Sequence, residues 1–263
     1  MIKISQKIIL GIVASIMFIV PMLGIPHALA ASTTGIMIPL YSYPTSTAWS
    51  NVIAAKNAHP SVPIVAIINP NSGPGTSQNQ AFVTGIQKLK DAGIIVLGYI
   101  PTKYAVRSSA SVMHDIDSYK SWYAVDGVKF DEMTNTVGYE TYYSNLSDYA
   151  KSIGLAMTVG NPGADVPPSY IGIVDNLTIF ENGFLPTLSY LGGWHTNYDK
   201  SNFSSESYAI PTLDQTYVSS ASQYLGYIYL TDDNLPNPWD TTSSYLNTLA
   251  ATLDVEPAPT PVA

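Results

Sequence analysis

Asp131 and Glu132 stand side by side at the end of the run Gly127-Val128-Lys129-Phe130, and Glu181 closes a second run, Leu177-Thr178-Ile179-Phe180. Carboxylates at the ends of two separate apolar runs supply what acid–base hydrolysis of a glycosidic bond needs. One carboxyl group protonates the leaving oxygen, and the other attacks carbon or activates water. Alternation along the first run puts Val128 and Phe130 on one face and Lys129 and Asp131 on the other. With the apolar face against covering helices, Lys129 and Asp131 point inward together. A lysine so placed favours the ionised form of Asp131, which makes Asp131 the nucleophile or base. Glu132 then lies at the rim, where the run ends.

These residues need elements to hold them. Apolar runs at 35–40, 63–69, 94–100, 127–131, 155–160, 177–181, 208–211 and 224–230 read as eight strands, several of them continuous Val/Ile/Leu runs suited to strands covered on both faces. Helical spacing appears between them: Phe82, Ile86 and Leu89; Val112, Ile116 and Tyr119; Tyr142, Leu146, Tyr149 and Ile153; Tyr245, Leu249 and Leu253. Gly93 and Gly154 fall where helices end before a strand. Between Leu188 and Phe203 the helical signal is irregular. Eight strands alternating with helices predict an α/β fold, a single (β/α)8 barrel of the TIM type. An open doubly wound sheet is the alternative, but Tyr41-Ser42-Tyr43-Pro44 occupies the place of its phosphate loop.

A barrel presents its chemistry at the C-terminal ends of its strands. Reading those ends in order gives Tyr41 and Tyr43, Asn69 opening the loop Asn69-Pro70-Asn71-Ser72-Gly73-Pro74-Gly75, Tyr99, Asp131 with Glu132, Asn161-Pro162-Gly163, Glu181, and Tyr229. Trp194 and His195 follow in the loop after the sixth strand. Tyr41, Tyr43, Asn69, Tyr99, Lys129, Asn161, Trp194, His195 and Tyr229 are the expected substrate contacts. Tyrosine is abundant, at 19 residues, and offers flat apolar faces with a polar tip, which suit sugar rings.

Composition narrows the field. The net charge is −8, which argues against nucleic acid as a partner. Arg107 is the one arginine, so clamps for phosphate or carboxylate ligands are scarce and a neutral or cationic substrate fits better. With no cysteine, disulfides and thiolate chemistry are excluded. No His/Asp/Glu set has metal-ligand spacing, so no metal or cofactor is expected. The adjacent Asp232 and Asp233 read as a solvated turn.

Residues 1–30 read as a signal peptide. Lys3 and Lys7 precede an apolar stretch that ends in the small-x-small site Ala28-Leu29-Ala30. Residues 31–255 form the expected barrel domain and 256–263 a Pro-rich tail. No later stretch approaches the roughly 20 apolar residues of a membrane span. A secreted or cell-surface monomer with a polysaccharide as its partner is expected.

The run Asp126-Gly127-Val128-Lys129-Phe130-Asp131-Glu132, with Asn161-Pro162-Gly163 and Phe180-Glu181 downstream, resembles the spherulin-4 family, as do the loop 69–75 and Gly98-Tyr99-Ile100. The resemblance covers about residues 35–230, and its specificity lies in the order and spacing of individually weak motifs. It implies a barrel akin to glycoside hydrolase family 135 and to endo-α-1,4-galactosaminidases, with Asp131, Glu132 and Glu181 as catalytic acids. On that resemblance Asp131 is the nucleophile, Glu181 the general acid/base and Glu132 their support. The reaction implied is endo-cleavage, with retention, of an amino-sugar polysaccharide. The alternatives are a non-catalytic polysaccharide-binding envelope or spore-coat-like protein, which would not need paired carboxylates, and an exported hydrolase of another class such as a deacetylase.

Overall fold

The computed structural model describes residues 33–254; the expected signal peptide with its cleavage site and the Pro-rich tail lie outside the described residues. Eight parallel strands run in sequential order: β1 (Ile36–Leu40), β2 (Ile64–Ile68), β3 (Ile95–Pro101), β4 (Gly127–Asp131), β5 (Met157–Gly160), β6 (Asn176–Asn182), β7 (Phe203–Ser207) and β8 (Tyr227–Leu230). A bridge between Gly35 and Tyr227 brings β1 back to β8 and closes the barrel. The helices are α1 (Thr47–Ala58), α2 (Gln80–Asp91), α3 (Ser109–Ser118), α4 (Glu140–Ser152), the single turn α5 (Leu188–Leu191), α6 (Gln215–Ala221) and α7 (Leu246–Leu253). Between β5 and β6 only a 3-10 turn, Pro168–Tyr170, replaces the expected helix. Among the described residues no helix is long and apolar enough to cross a membrane.

Local chemistry sets the helix ends. Ser46, Asn79, Ser108 and Asp214 accept hydrogen bonds from backbone N–H groups of the first turns of α1, α2, α3 and α6. Gly93 and Gly154, each at positive φ, terminate the segments after α2 and α4. Phe82, Ile86 and Leu89 bury the predicted face of α2. On α4 the buried stripe is Tyr143, Leu146, Ser147 and Ala150, so Tyr142 and Tyr149 flank it rather than fill it.

Two apolar cores result. A large outer one lies between sheet and helices, and a small one inside the barrel holds Met37, Val65, Ile67, Leu97 and Val159. The small core draws on β1, β2, β3 and β5. On the side of β4, β6 and β7 the interior is polar: Lys129, Thr178, Ser204 and Glu206 are all buried.

The seventh strand corrects the sequence reading. It is Phe203-Ser204-Ser205-Glu206-Ser207, not 208–211. Small hydroxyl side chains and one glutamate fill the polar side of the barrel, so a fully buried strand carries no apolar signature.

Candidate functional site

Strand register brings Asp131 to the rim. Asp131 pairs with Pro101 of β3, one step beyond the pairing of Phe130 with Gly160 of β5. Glu181 reaches the same cavity by a different route. On β6, Thr178 lies opposite Ser204, and their hydroxyls bond at 3.0 Å inside the barrel. Three residues later Glu181 lies opposite Glu206, only two residues beyond Ser204 on β7. The extra residue is a β-bulge between Thr178 and Phe180. A regular strand would send residues 178 and 181 to opposite faces; the bulge turns Glu181 inward. The loop after β5 stitches this bulge. Gly163 N–H donates to the Thr178 carbonyl, and Glu181 N–H donates to the Gly163 carbonyl. Gly163 holds a left-handed φ of 62°, and a Cβ there would stand 3.4 Å from Cβ of Glu181.

Asn161 joins the two acids. Its buried Nδ2 donates to Asp131 Oδ1 at 2.8 Å and to Glu181 Oε2 at 2.6 Å. Hydrogen bonds to carboxylates are among the stronger ones, worth about 1.5–3 kcal/mol each. Asn161 Oδ1 and Glu132 Oε2 are buried and have no protein partner.

Glu132 itself adopts φ 49°, and Lys103, Tyr104 and Ala105 adopt φ 50°, 55° and 66° in succession. Left-handed backbone costs a residue with a Cβ about 1–2 kcal/mol, so the surroundings must hold it. Thr102 donates through its N–H and hydroxyl to the Asp131 carbonyl, its hydroxyl also reaches the Glu132 carbonyl, and Tyr104 N–H meets the Glu132 carbonyl at 2.7 Å. The backbones after β3 and β4 are thereby fixed to each other at the rim.

Two predicted tyrosines join the acids. Tyr41 and Tyr99 pack edge to face, with centroids 5.3 Å apart. Both phenols are pushed above their ordinary range, first by burial and next by the negative charge of Asp131. Glu206, missed in the sequence, is fully buried and joined to Lys129 at 2.5 Å. Its carboxyl is raised to about 7, chiefly by burial; Lys129 opposes the rise, and the charges of Glu181 and Asp131 add to it. A carboxylate one residue short of the end of a serine-rich strand was the available signal, lost with the misplacement of that strand.

Other expected contacts lie elsewhere. Lys129 points inward as alternation required, but its ion-pair partner is Glu206 rather than Asp131, and it has no exposed surface with which to touch a ligand. Tyr229 is also fully buried; its hydroxyl accepts from Ser243 N–H, and its ring packs beside Trp239. Trp194 and His195 are pinned to Asp165 and pack edge to face with Phe203, the first residue of β7 and thus the end of that strand away from Glu206. His195 is 3% exposed and serves packing. The sequence placed it by loop order, which does not say how the loop folds back. Tyr43 packs against Phe82 of α2. Asn69 accepts from Gly73 N–H and shapes its own loop. Asp232 and Asp233 accept from Ser244 N–H and the Thr241 hydroxyl.

Fold and site together define a (β/α)8 barrel with clustered carboxylates at the C-terminal rim. Residues 35–253 match the model of the spherulation-specific family 4, and the chain belongs to that family. It is 33% identical over 224 residues to spherulin-4 of Physarum polycephalum, a match that covers 78% of this chain and 66% of that protein, just under two thirds of its length. Among solved structures, Sph3 of Aspergillus clavatus in complex with GalNAc superposes with a TM-score of 0.76 at 23% identity, covering 86% of this chain and 99% of that one. The Bacillus cereus spore cortex-lytic enzyme SleL gives 0.54 at 10% identity, covering 84% and 74%. The Thermotoga neapolitana maltogenic α-amylase AmyB gives 0.55 at 7% identity, covering 86% and 76%. These structural likenesses establish the barrel.

Proposed function

We propose that this chain is an exported glycoside hydrolase that cleaves an amino-sugar-containing polysaccharide internally, with retention at the anomeric carbon. The observation that carries the reading is the Asn161 amide, which holds Asp131 and Glu181 at once. The two bonded oxygens can be no farther apart than those two short bonds laid end to end. That favours the spacing of about 5–5.5 Å used for retention over the roughly 6.5–9.5 Å that admits a water for inversion. Glu181 protonates the glycosidic oxygen as the C–O bond breaks, and Asp131 attacks the anomeric carbon to form a glycosyl ester. Glu181 then takes a proton from water, which displaces Asp131 and releases the sugar.

The acidic character of the site and the GalNAc complex of the Sph3 structure support an amino sugar. The pattern of residues 1–30 supports export, and the mass of the protein recovered outside the cell tests it, with a retained Met1 as the contrary result. The test of activity is incubation of the protein with galactosaminogalactan, chitosan and neutral polysaccharides, scored for new reducing ends. We expect release from an amino-sugar polymer. Tight binding with no new ends on any polymer would replace this reading with the non-catalytic one.

A further inference from the structure

The large apolar side chains exposed on the described surface, Tyr198 excepted, follow the C-terminal ends of β1, β3, β4, β6 and β8. The two most exposed aromatic ones, Tyr104 and Phe184, stand on either side of Asp131 around the rim. Tyr104 follows β3 and is 61% exposed; Phe184 follows Glu181 by three residues and is 57% exposed. Neither adds much to the core. Both are nonetheless held in place. Phe184 packs edge-on against Phe180 of β6, with centroids 5.4 Å apart. Tyr104 is the middle residue of the left-handed turn Lys103–Ala105, which contains no glycine. The turn is closed by Val106 N–H on the Lys103 carbonyl, by the Arg107 guanidinium on the Pro101 carbonyl, and by Tyr104 N–H on the Glu132 carbonyl. Backbone strain kept in an exposed loop, and tied directly to an acidic residue of the site, points to function rather than folding.

We infer that Tyr104 and Phe184 are aromatic stacking platforms that grip a polysaccharide on the two sides of the bond to be cut. This rests on the hydrolase reading and extends it to the chain-binding subsites. A sugar ring offers a C–H face that a flat aromatic ring covers well, and Tyr or Phe loses little rotational freedom in doing so. Platforms on both sides of Asp131 engage several sugar units at once, so affinity rises with chain length.

Calorimetry in the Asp131→Asn background separates binding from cleavage. The probes are GalNAc and partly N-acetylated α-1,4-linked galactosamine oligosaccharides of increasing length. Tyr104→Ala and Phe184→Ala should each weaken the longest probe about tenfold, roughly one stacked ring, and leave GalNAc unchanged. Tyr104→Phe should keep the parent affinity, because stacking does not need the hydroxyl. Tyr104→Gly should melt at a higher temperature, since glycine adopts positive φ without strain, yet bind the long probe as weakly as Tyr104→Ala. In the active protein both alanine variants should raise KM for long chains with kcat retained. Length-independent binding by the parent, full affinity in both alanine variants, or equal losses for GalNAc and long probes would each overturn the inference. Length-dependent binding lost in the variants, with no cleavage by the parent, would leave the platforms standing and remove the hydrolase.

Discussion

Asn161 is where the chemistry of this site concentrates. One side-chain amide has two N–H groups, and here each is committed to a different carboxylate. That fixes the separation of two acids carried on β4 and β6, which are not neighbours in the sheet. On the proposed mechanism, Asp131→Asn and Glu181→Gln keep shape but remove the nucleophile and the transferable proton, so turnover should fall by about 10²–10⁴-fold or more. Folding should be little altered, as circular dichroism would show. Normal turnover in both folded variants would dismiss the assignment. Glu132→Gln should be milder, because its backbone rather than its charge ties the two loops together. Asn161→Ala leaves both carboxylates in place but unheld. A misplacement near 1 Å can cost about 10²-fold, and kcat should drop on that scale while substrate affinity changes less; steady-state kinetics with a confirmed substrate decides this.

At the scale of elements, the site depends on two irregularities, the bulge in β6 and the loop that stitches it. The bulge converts a strand whose inward register is Thr178 into one that also delivers Glu181. Gly163 makes the stitch because its left-handed φ aims both its N–H and its carbonyl at β6 on either side of the bulge. Space is not the obstacle to a side chain there; conformation is. Gly163→Ala should therefore lower stability by about 1–2 kcal/mol, read as a lower denaturant midpoint. An unchanged midpoint would show that the loop does not need this backbone.

Across the whole molecule, the barrel interior is divided into an apolar half and a charged half, with Lys129 and Glu206 buried at its centre. Removing one member of such a pair strands the other, at a cost of about 3–5 kcal/mol. Lys129→Met should accordingly destabilise the protein strongly. Glu206 also carries a pH dependence. Its folded value, about 7, stands above the ordinary 4.5. The folded state thus binds this proton more tightly than the unfolded chain, and its contribution is complete below about pH 4.5 and is lost as pH rises to about 7. The groups acting on it are Lys129, Glu181 and Asp131. Thermal melts from pH 4.5 to 7.5 should show this component as a fall in stability, and Glu206→Gln should flatten it. An equal slope in that variant would assign the effect to other groups.

The barrel was legible in the sequence because seven of its strands are apolar on the face that meets the helices, and because helix caps and glycine stops are local signals. The positions of Asp131, Glu132 and Glu181 at the rim were legible too, since each stands at or near the end of a strand. Asn161 was visible as a strand-end residue, but not as a bridge between two acids. The strand β7 was hidden, because Ser204 and Glu206 face inward and two of the three residues on its outer face are serines, Ser205 and Ser207. Lys129 showed its direction through alternation yet not its partner, because Glu206 lies 77 positions away in the chain. The inward turn of Glu181 follows from a bulge that period-two alternation does not report. Trp194 and His195 were misplaced for a similar reason: loop order gives connectivity, while Asp165 and Phe203 decide where the loop packs. Local periodicity determines which elements form and which residues stand at their ends. Contacts between residues distant in the chain determine which side chains meet, and only the tertiary structure contains them.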